Sequence, residues 1–316
     1  MKEKLIKCPL CDYAGLKNDI FLYGNHKGSR KKKILSFIYY FIFFFTPKIL
    51  MRRVRIPRRI LLGIWYGRHI NTCHKCNLSF LDKSPKPSNL SIWYNTAGNT
   101  TSQKVLDGFS SSFFTQNSER IFSQNPERIF SQRRYLESKI QNFHPRRSLE
   151  FGAGNAELSQ IFKLEYQTET TTVDISEKTN AYLRSNSMID FVEESIPKNA
   201  SYDLIICSHV LHLVANFPEV LRSLDSCISD DGVLLIETPN TNNNYFLLDG
   251  HDVPYTWFLN DKVINFISKE NGYSINDISY YGPKWDDFLT RGIKHNNLSK
   301  SKDSITIRSL LTKQVR

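Results

Sequence analysis

The sequence has no apolar run long enough to span a bilayer: its most apolar stretch, Ile34 to Phe45, is twelve residues where a spanning helix needs about 20. It also has no secretory signal pattern. MKEKLIK is basic, but CPLCDYAG follows where an apolar run would begin, so a cytosolic, reducing compartment is expected. Six cysteines are too few for a disulfide-stapled miniprotein of this length, and 14 Gly and 12 Pro exclude a collagenous chain. Acidic residues are scarce in the first 90 positions, with 4 Asp+Glu against 19 Lys+Arg. That scarcity excludes a uniformly mixed surface.

The remaining residues, 91–316, carry 23 Lys+Arg against 27 Asp+Glu, so a net +15 module precedes a body of net −4. Such a module suits an anionic partner, a membrane surface or nucleic acid, unless the charge is simply solvated. Inside it, residues 30–69 join the short apolar run to Arg52, Arg53, Arg55, Arg58 and Arg59 interleaved with Val54, Ile56, Ile60 and Leu61. That pattern fits docking on an anionic membrane surface, with a lid on the neighbouring domain, a dimer contact or nucleic-acid binding as alternatives. SPKPSNLSIWYN, residues 84–95, reads as a linker. NSERIFSQ then repeats as NPERIFSQ, a local duplication far shorter than a solenoid unit, and Asn125 and Pro126 open a helix expected over 126–142.

From Ser148 onward strands and helices alternate: strands at 148–154, 170–176, 189–192, 202–210 and 232–240, with helices from Ala156, over 178–186 and over 216–228. A helix and two closing strands follow in 263–282 and 305–313. This order implies an α/β fold, a mostly parallel sheet covered on both faces. LEFGAGNA, residues 149–156, leads a strand into a glycine loop and a helix start, where Gly152 and Gly154 permit close approach to a nucleotide-type cofactor. A dinucleotide fingerprint would need glycine at 157, where Glu157 stands, which argues against NAD. Asp174 ends the next strand, where one carboxylate can accept both ribose hydroxyls. Glu150 is costly in a buried strand and needs a donor: loop N–H groups or a ligand ammonium.

These residues resemble the class I S-adenosylmethionine-dependent methyltransferases over about 120–280. The resemblance rests on E-x-G-x-G-x-A at 150–156, VDIS at 173–176, YDLIICSHVLHLV at 202–214 and ISDDGVLLIETPN at 228–240, in that order. It implies a Rossmann-like, mostly parallel seven-stranded sheet whose last two strands form an antiparallel hairpin. It also implies a methyl-transferring enzyme whose cofactor is S-adenosylmethionine. Glu150, Gly152, Gly154, Asp174, Glu193 or Glu194, Ser208 and His212 would bind that cofactor, and His209 would lie near the methyl group. Relatives often carry glutamate where this chain has His212. His251, opening HDVPYTWF, resembles the acceptor-facing histidine after the fifth strand. With His209 it is the candidate catalytic base, against the plainer alternative that each histidine is structural.

Cys8 and Cys11, with Cys73 and Cys76, form two Cys-x-x-Cys pairs, and CHKCNLSFLDKSPKPSNLSIWYN resembles the zinc-ribbon segment preceding some bacterial methyltransferases of surface-polysaccharide or other small-molecule pathways. Four thiolates suit a tetrahedral structural zinc, although the 61 intervening residues exceed the usual 15 to 20. A redox pair or plain buried thiols are the alternatives. The expected organisation is a zinc-ribbon-like module over 1–90 with the insertion 30–69, a linker and lead-in helix over 91–125, and a methyltransferase domain over 126–316. The acceptor implied is a small molecule or a surface-glycan or lipid-linked intermediate, met in the cytoplasm or at the inner membrane surface. RNA methylation by a polyanion-binding zinc protein, and a non-catalytic membrane-peripheral scaffold, are the competing readings.

Overall fold

The computed structural model describes residues 7–22, 69–81, 126–242, 255–284 and 301–314. The insertion 30–69, apart from its last residue, the linker 91–125 and His251 lie outside the described residues.

The body is one seven-stranded sheet. In chain order come α1 (Pro126–Lys139), β4 (Arg147–Phe151), α2 (Glu157–Tyr166), β5 (Glu169–Val173), α3 (Glu177–Arg184), β6 (Phe191–Glu193), β7 (Tyr202–Ser208), α4 (Phe217–Cys227) and β8 (Ile228–Pro239). After β9 (Trp257–Phe258) follow α5 (Asp261–Asn271), β10 (Tyr273–Lys284) and β11 (Ser304–Lys313). The spatial order is β10-β11-β8-β7-β4-β5-β6. β6, β5, β4, β7 and β8 run parallel, and β11 lies antiparallel to both β8 and β10. The expected fold and closing hairpin are therefore present, with the helix opening at Pro126 as its sequence directs.

Alternation along β7 explains the two-faced core. Leu204 and Ile206 pack with Ile129 and Leu136 of α1 and Leu158, Ile161 and Phe162 of α2, while Ile205 and Cys207 face Leu221 and Leu224 of α4 and Val263 and Ile267 of α5. The helix starts are written locally. Asn216, Ser176 and Asn260 cap α4, α3 and α5 by accepting the N–H three residues on, and Gly272 closes α5 at φ 70°. β8 begins at Ile228, four residues before the strand expected from Gly232; Asp231 takes a left-handed turn at φ 61° and the pairing slips between Tyr202 and Leu204.

The N-terminal module is a smaller sheet, β1 (Leu16–Leu22), β2 (His69–Cys73) and β3 (Ser79–Leu81), all antiparallel, and β9 is its fourth strand. Ser79 pairs with Phe258 and Phe80 with Trp257, and the rings of Phe80 and Trp257 stack at 6.1 Å. Cys8, Cys73, Cys76, Leu78 and Phe80 thus join the same buried cluster as α4 and α5. Among the described residues no helix is long and apolar enough to cross a membrane.

Candidate active site and four-cysteine cluster

The carboxyl ends of β4, β5, β7 and β8 converge on one edge, where the sequence-predicted residues gather. The glycine loop leaves β4 with Gly152 at φ 69° and Gly154 at φ 55°, and the Gly152 N–H donates to Val173 O at 2.8 Å. A side chain at 152 would meet Val210 at 2.3 Å, whereas at 154 it would enter open space. Gly152 is therefore fixed by its neighbour, and Gly154 leaves room for a ligand against bare backbone. Asp174 ties the loop down: Oδ2 accepts the Gly154 N–H at 3.0 Å and Oδ1 the Ser176 N–H at 2.8 Å. Burial pushes its carboxyl up, against the pull of those N–H groups.

Glu150 finds its donors in the first turn of α2, not in the loop. Its Oε2 accepts the Ser159 hydroxyl at 2.6 Å and the Ser159 N–H at 3.1 Å. Since Ala156 offers no side-chain cap, this carboxyl takes one of the unpaired N–H groups of that helix start. Burial still pushes Glu150 up to about 7. Glu193 ends β6 in an exposed position, and Glu194 is exposed beside Arg184 at 3.7 Å.

On the other flank, Val210 brings the loop after β7 against Gly152. Ser208 Oγ accepts Gln132 Nε2 at 2.7 Å. His209, at φ 53°, is partly exposed and its Nε2 lies 3.3 Å from Glu237 Oε1. His212 is buried, with Nδ1 3.3 Å from Thr238 Oγ1 and its ring 4.8 Å from that of Tyr255; burial pushes Tyr255 up to about 12. Glu237, Arg308 and Gln132 belong to this flank and were missed in the sequence. The available signal was a carboxylate inside the apolar strand GVLLIETPN, the same oddity that singled out Glu150.

Residues 121–274 match the family model described as a methyltransferase domain. The chain carries a class I S-adenosylmethionine-dependent methyltransferase domain. Solved structures similar to this methyltransferase include magnesium protoporphyrin IX methyltransferase from Synechocystis (16% identity, 73% of this chain and 100% of that one, TM-score 0.48). Others are an S-adenosylmethionine-dependent methyltransferase from Archaeoglobus fulgidus (16%, 65% and 100%, 0.45) and a putative one from Listeria monocytogenes (14%, 58% and 97%, 0.43). No curated protein matches the chain.

The second cluster lies in the module of this methyltransferase. The sulfurs of Cys8, Cys11, Cys73 and Cys76 fall within 4.8 Å of one another, with Cys8 to Cys76 at 3.5 Å and Cys11 to Cys73 at 3.6 Å. A disulfide needs about 2.05 Å, whereas a tetrahedron of Zn–S bonds of about 2.3 Å has edges of about 3.8 Å. The two halves repeat one turn. Asp12 N–H donates to Cys8 O and Asn77 N–H to Cys73 O, both at 2.9 Å, with Asp12 and Asn77 left-handed at φ 56° and 63°. The donor set and spacing are consistent with a closed structural zinc site.

Proposed function

We propose that this methyltransferase acts on a hydroxyl of a small molecule or of a surface-glycan or lipid-linked intermediate. S-adenosylmethionine supplies the methyl group. Glu150, Gly152, Gly154, Asp174 and Glu193 hold the cofactor, with Ser208 and His212 on its methyl side. The observation that carries the reading is the Asp174–Gly154 contact beside open space: it joins an acceptor for ribose hydroxyls to a loop whose backbone a ligand can approach. His209 is the described residue best suited to take a hydroxyl proton, being partly exposed on the loop whose next residue packs against Gly152. His251, the first candidate from the sequence, lies outside the described residues. Cys8, Cys11, Cys73 and Cys76 hold a structural zinc, and the basic residues of 30–69 bring the enzyme to an anionic membrane surface.

Calorimetric titration of S-adenosylmethionine and S-adenosylhomocysteine into wild type and Asp174→Ala tests the cofactor half. Losing two hydrogen bonds to this carboxyl, worth about 0.5–1.5 kcal/mol each, should weaken both ligands about ten- to a hundredfold. A folded wild-type protein that binds neither would overturn the reading.

A further inference from the structure

Glu237 sits centrally on the acceptor flank, with Ser208 of β7 beside it on one side and Arg308 of β11 on the other. Its side chain is 1% exposed. Oε2 receives Nε and Nη2 of Arg308, each at 2.6 Å, while Oε1 faces Gln132 Nε2 at 2.9 Å and His209 Nε2 at 3.3 Å. Arg308 is fixed in turn. Its Nη1 donates to Ser131 O at 3.1 Å and Ser131 Oγ at 3.2 Å, and its guanidinium lies 4.1 Å over Tyr281 and 5.2 Å from Tyr135. Although burial opposes ionisation, this guanidinium holds the Glu237 carboxyl well below the usual carboxylate range. A fixed anion therefore stands at the end of β8 at neutral pH.

His209 is gripped by the same residue twice. Its N–H donates to Glu237 O at 2.7 Å, and its ring meets the Glu237 carboxylate, while its backbone holds a left-handed φ of 53° that a non-glycine residue adopts only when its surroundings impose it. The ring itself is 31% exposed, so it joins a buried network through Nε2 and still meets solvent.

We propose that Glu237 is a positioning residue that fixes His209 as the Nε2–H tautomer, leaving the Nδ1 electron pair for the proton of the acceptor hydroxyl. This rests on the reading of His209 as the base. As the acceptor oxygen forms its bond to the methyl carbon, its proton passes to Nδ1 and the electron pair of the broken carbon–sulfur bond stays on sulfur. The resulting imidazolium keeps its Nε2–H on the fixed carboxylate. Arg308 and Gln132 hold that carboxylate and do not touch the reacting atoms.

Nitrogen NMR of protein labelled at histidine, with His209→Gln identifying the resonance, reads the tautomer without any acceptor. In wild type, Nε2 should carry the proton at least tenfold more often than Nδ1. In Glu237→Gln the Arg308 donors claim the amide oxygen and turn the NH2 group toward the ring, so Nδ1–H should become the major form. If that variant fails to fold with Arg308 unpaired, Glu237→Gln combined with Arg308→Met removes both charges, and the tenfold preference should collapse. A wild-type His209 protonated on Nδ1, or a preference unchanged in a folded variant, overturns the proposal. S-adenosylhomocysteine added to the same samples should bind wild type and variants within about threefold. No binding to wild type would overturn the methyl-transfer reading, and the base role with it, while the tautomer still reports the Glu237–His209 contact.

Discussion

Glu150 and Glu237 are both carboxylates buried at strand ends, and the chain treats them oppositely. Glu150 is hydrogen-bonded to the neutral donors of Ser159, and desolvation prevails, so it is pushed up to about 7 from 4.5. Glu237 meets a guanidinium and stays ionised. For Glu150 the sign is plain: between about pH 4.5 and 7 the unfolded chain gives up the proton while the folded state keeps it, so stability falls as pH rises through that window. The fall levels off above about 7 and amounts to about 3 kcal/mol. Glu150→Gln keeps an acceptor for Ser159 and removes the titration. Urea denaturation at pH 4.5 and pH 8 should show the variant gaining about that much relative to wild type at the higher pH; parallel pH curves would show that Glu150 ionises normally. Glu150 was legible because its oddity lies within a local motif, and its partner is nine residues away. Arg308 and Gln132, which hold Glu237, are 71 and 105 residues away, and no sequence period links them.

At the scale of elements, β9 was the least legible piece and couples the two clusters. Two residues long, it carries no period of its own, and YTWF reads equally well as an acceptor wall. Paired with β3, it presents Trp257 Nε1 to Val214 O at 2.7 Å, and the N–H of Thr256, just before it, donates to His212 O at 2.8 Å. The cysteine cluster therefore holds β3, β3 holds β9, and β9 holds the loop that carries His209 and His212. Cys73→Ser should lose one equivalent of zinc by elemental analysis and raise amide exchange in 79–81, 255–258 and 211–214. S-adenosylhomocysteine binding, carried in the proposed site mainly by Glu150, Gly152, Gly154 and Asp174 at the ends of β4 and β5, should change by less than about threefold. Unchanged exchange at 211–214 would show that the module and the acceptor loop are independent. Most parallel strands and the capped helices were legible because apolar runs, Asn and Ser caps and Gly272 are local signals, but β6, expected at 189–192, lies at Phe191–Glu193 on the sheet edge with no apolar run to mark it. The start of β8 was not, since its first pair, Ile228 with Tyr202, is followed by a slip over the polar SDD stretch that carries no strand period.

The whole molecule is a basic module sharing a buried core with a methyltransferase sheet. Sedimentation with anionic vesicles should capture the full chain and persist in part at high salt, and deletion of residues 30–66, which stops short of β2, should abolish it. Capture by any polyanion that vanishes with salt would favour nucleic acid instead.

Leu22 pairs with His69 across β1 and β2, so the chain leaves and re-enters the module at neighbouring points about 5 Å apart. Taking away the 46 residues between them leaves 15 of the 61 that separate the cysteine pairs, within the spacing usual for a two-pair zinc site. The long segment is thus a graft on a hairpin tip. Exchanging it for a short turn should therefore leave both the thiols and the sheet in place, so neither the metal module nor the chemistry beside it depends on what the segment carries.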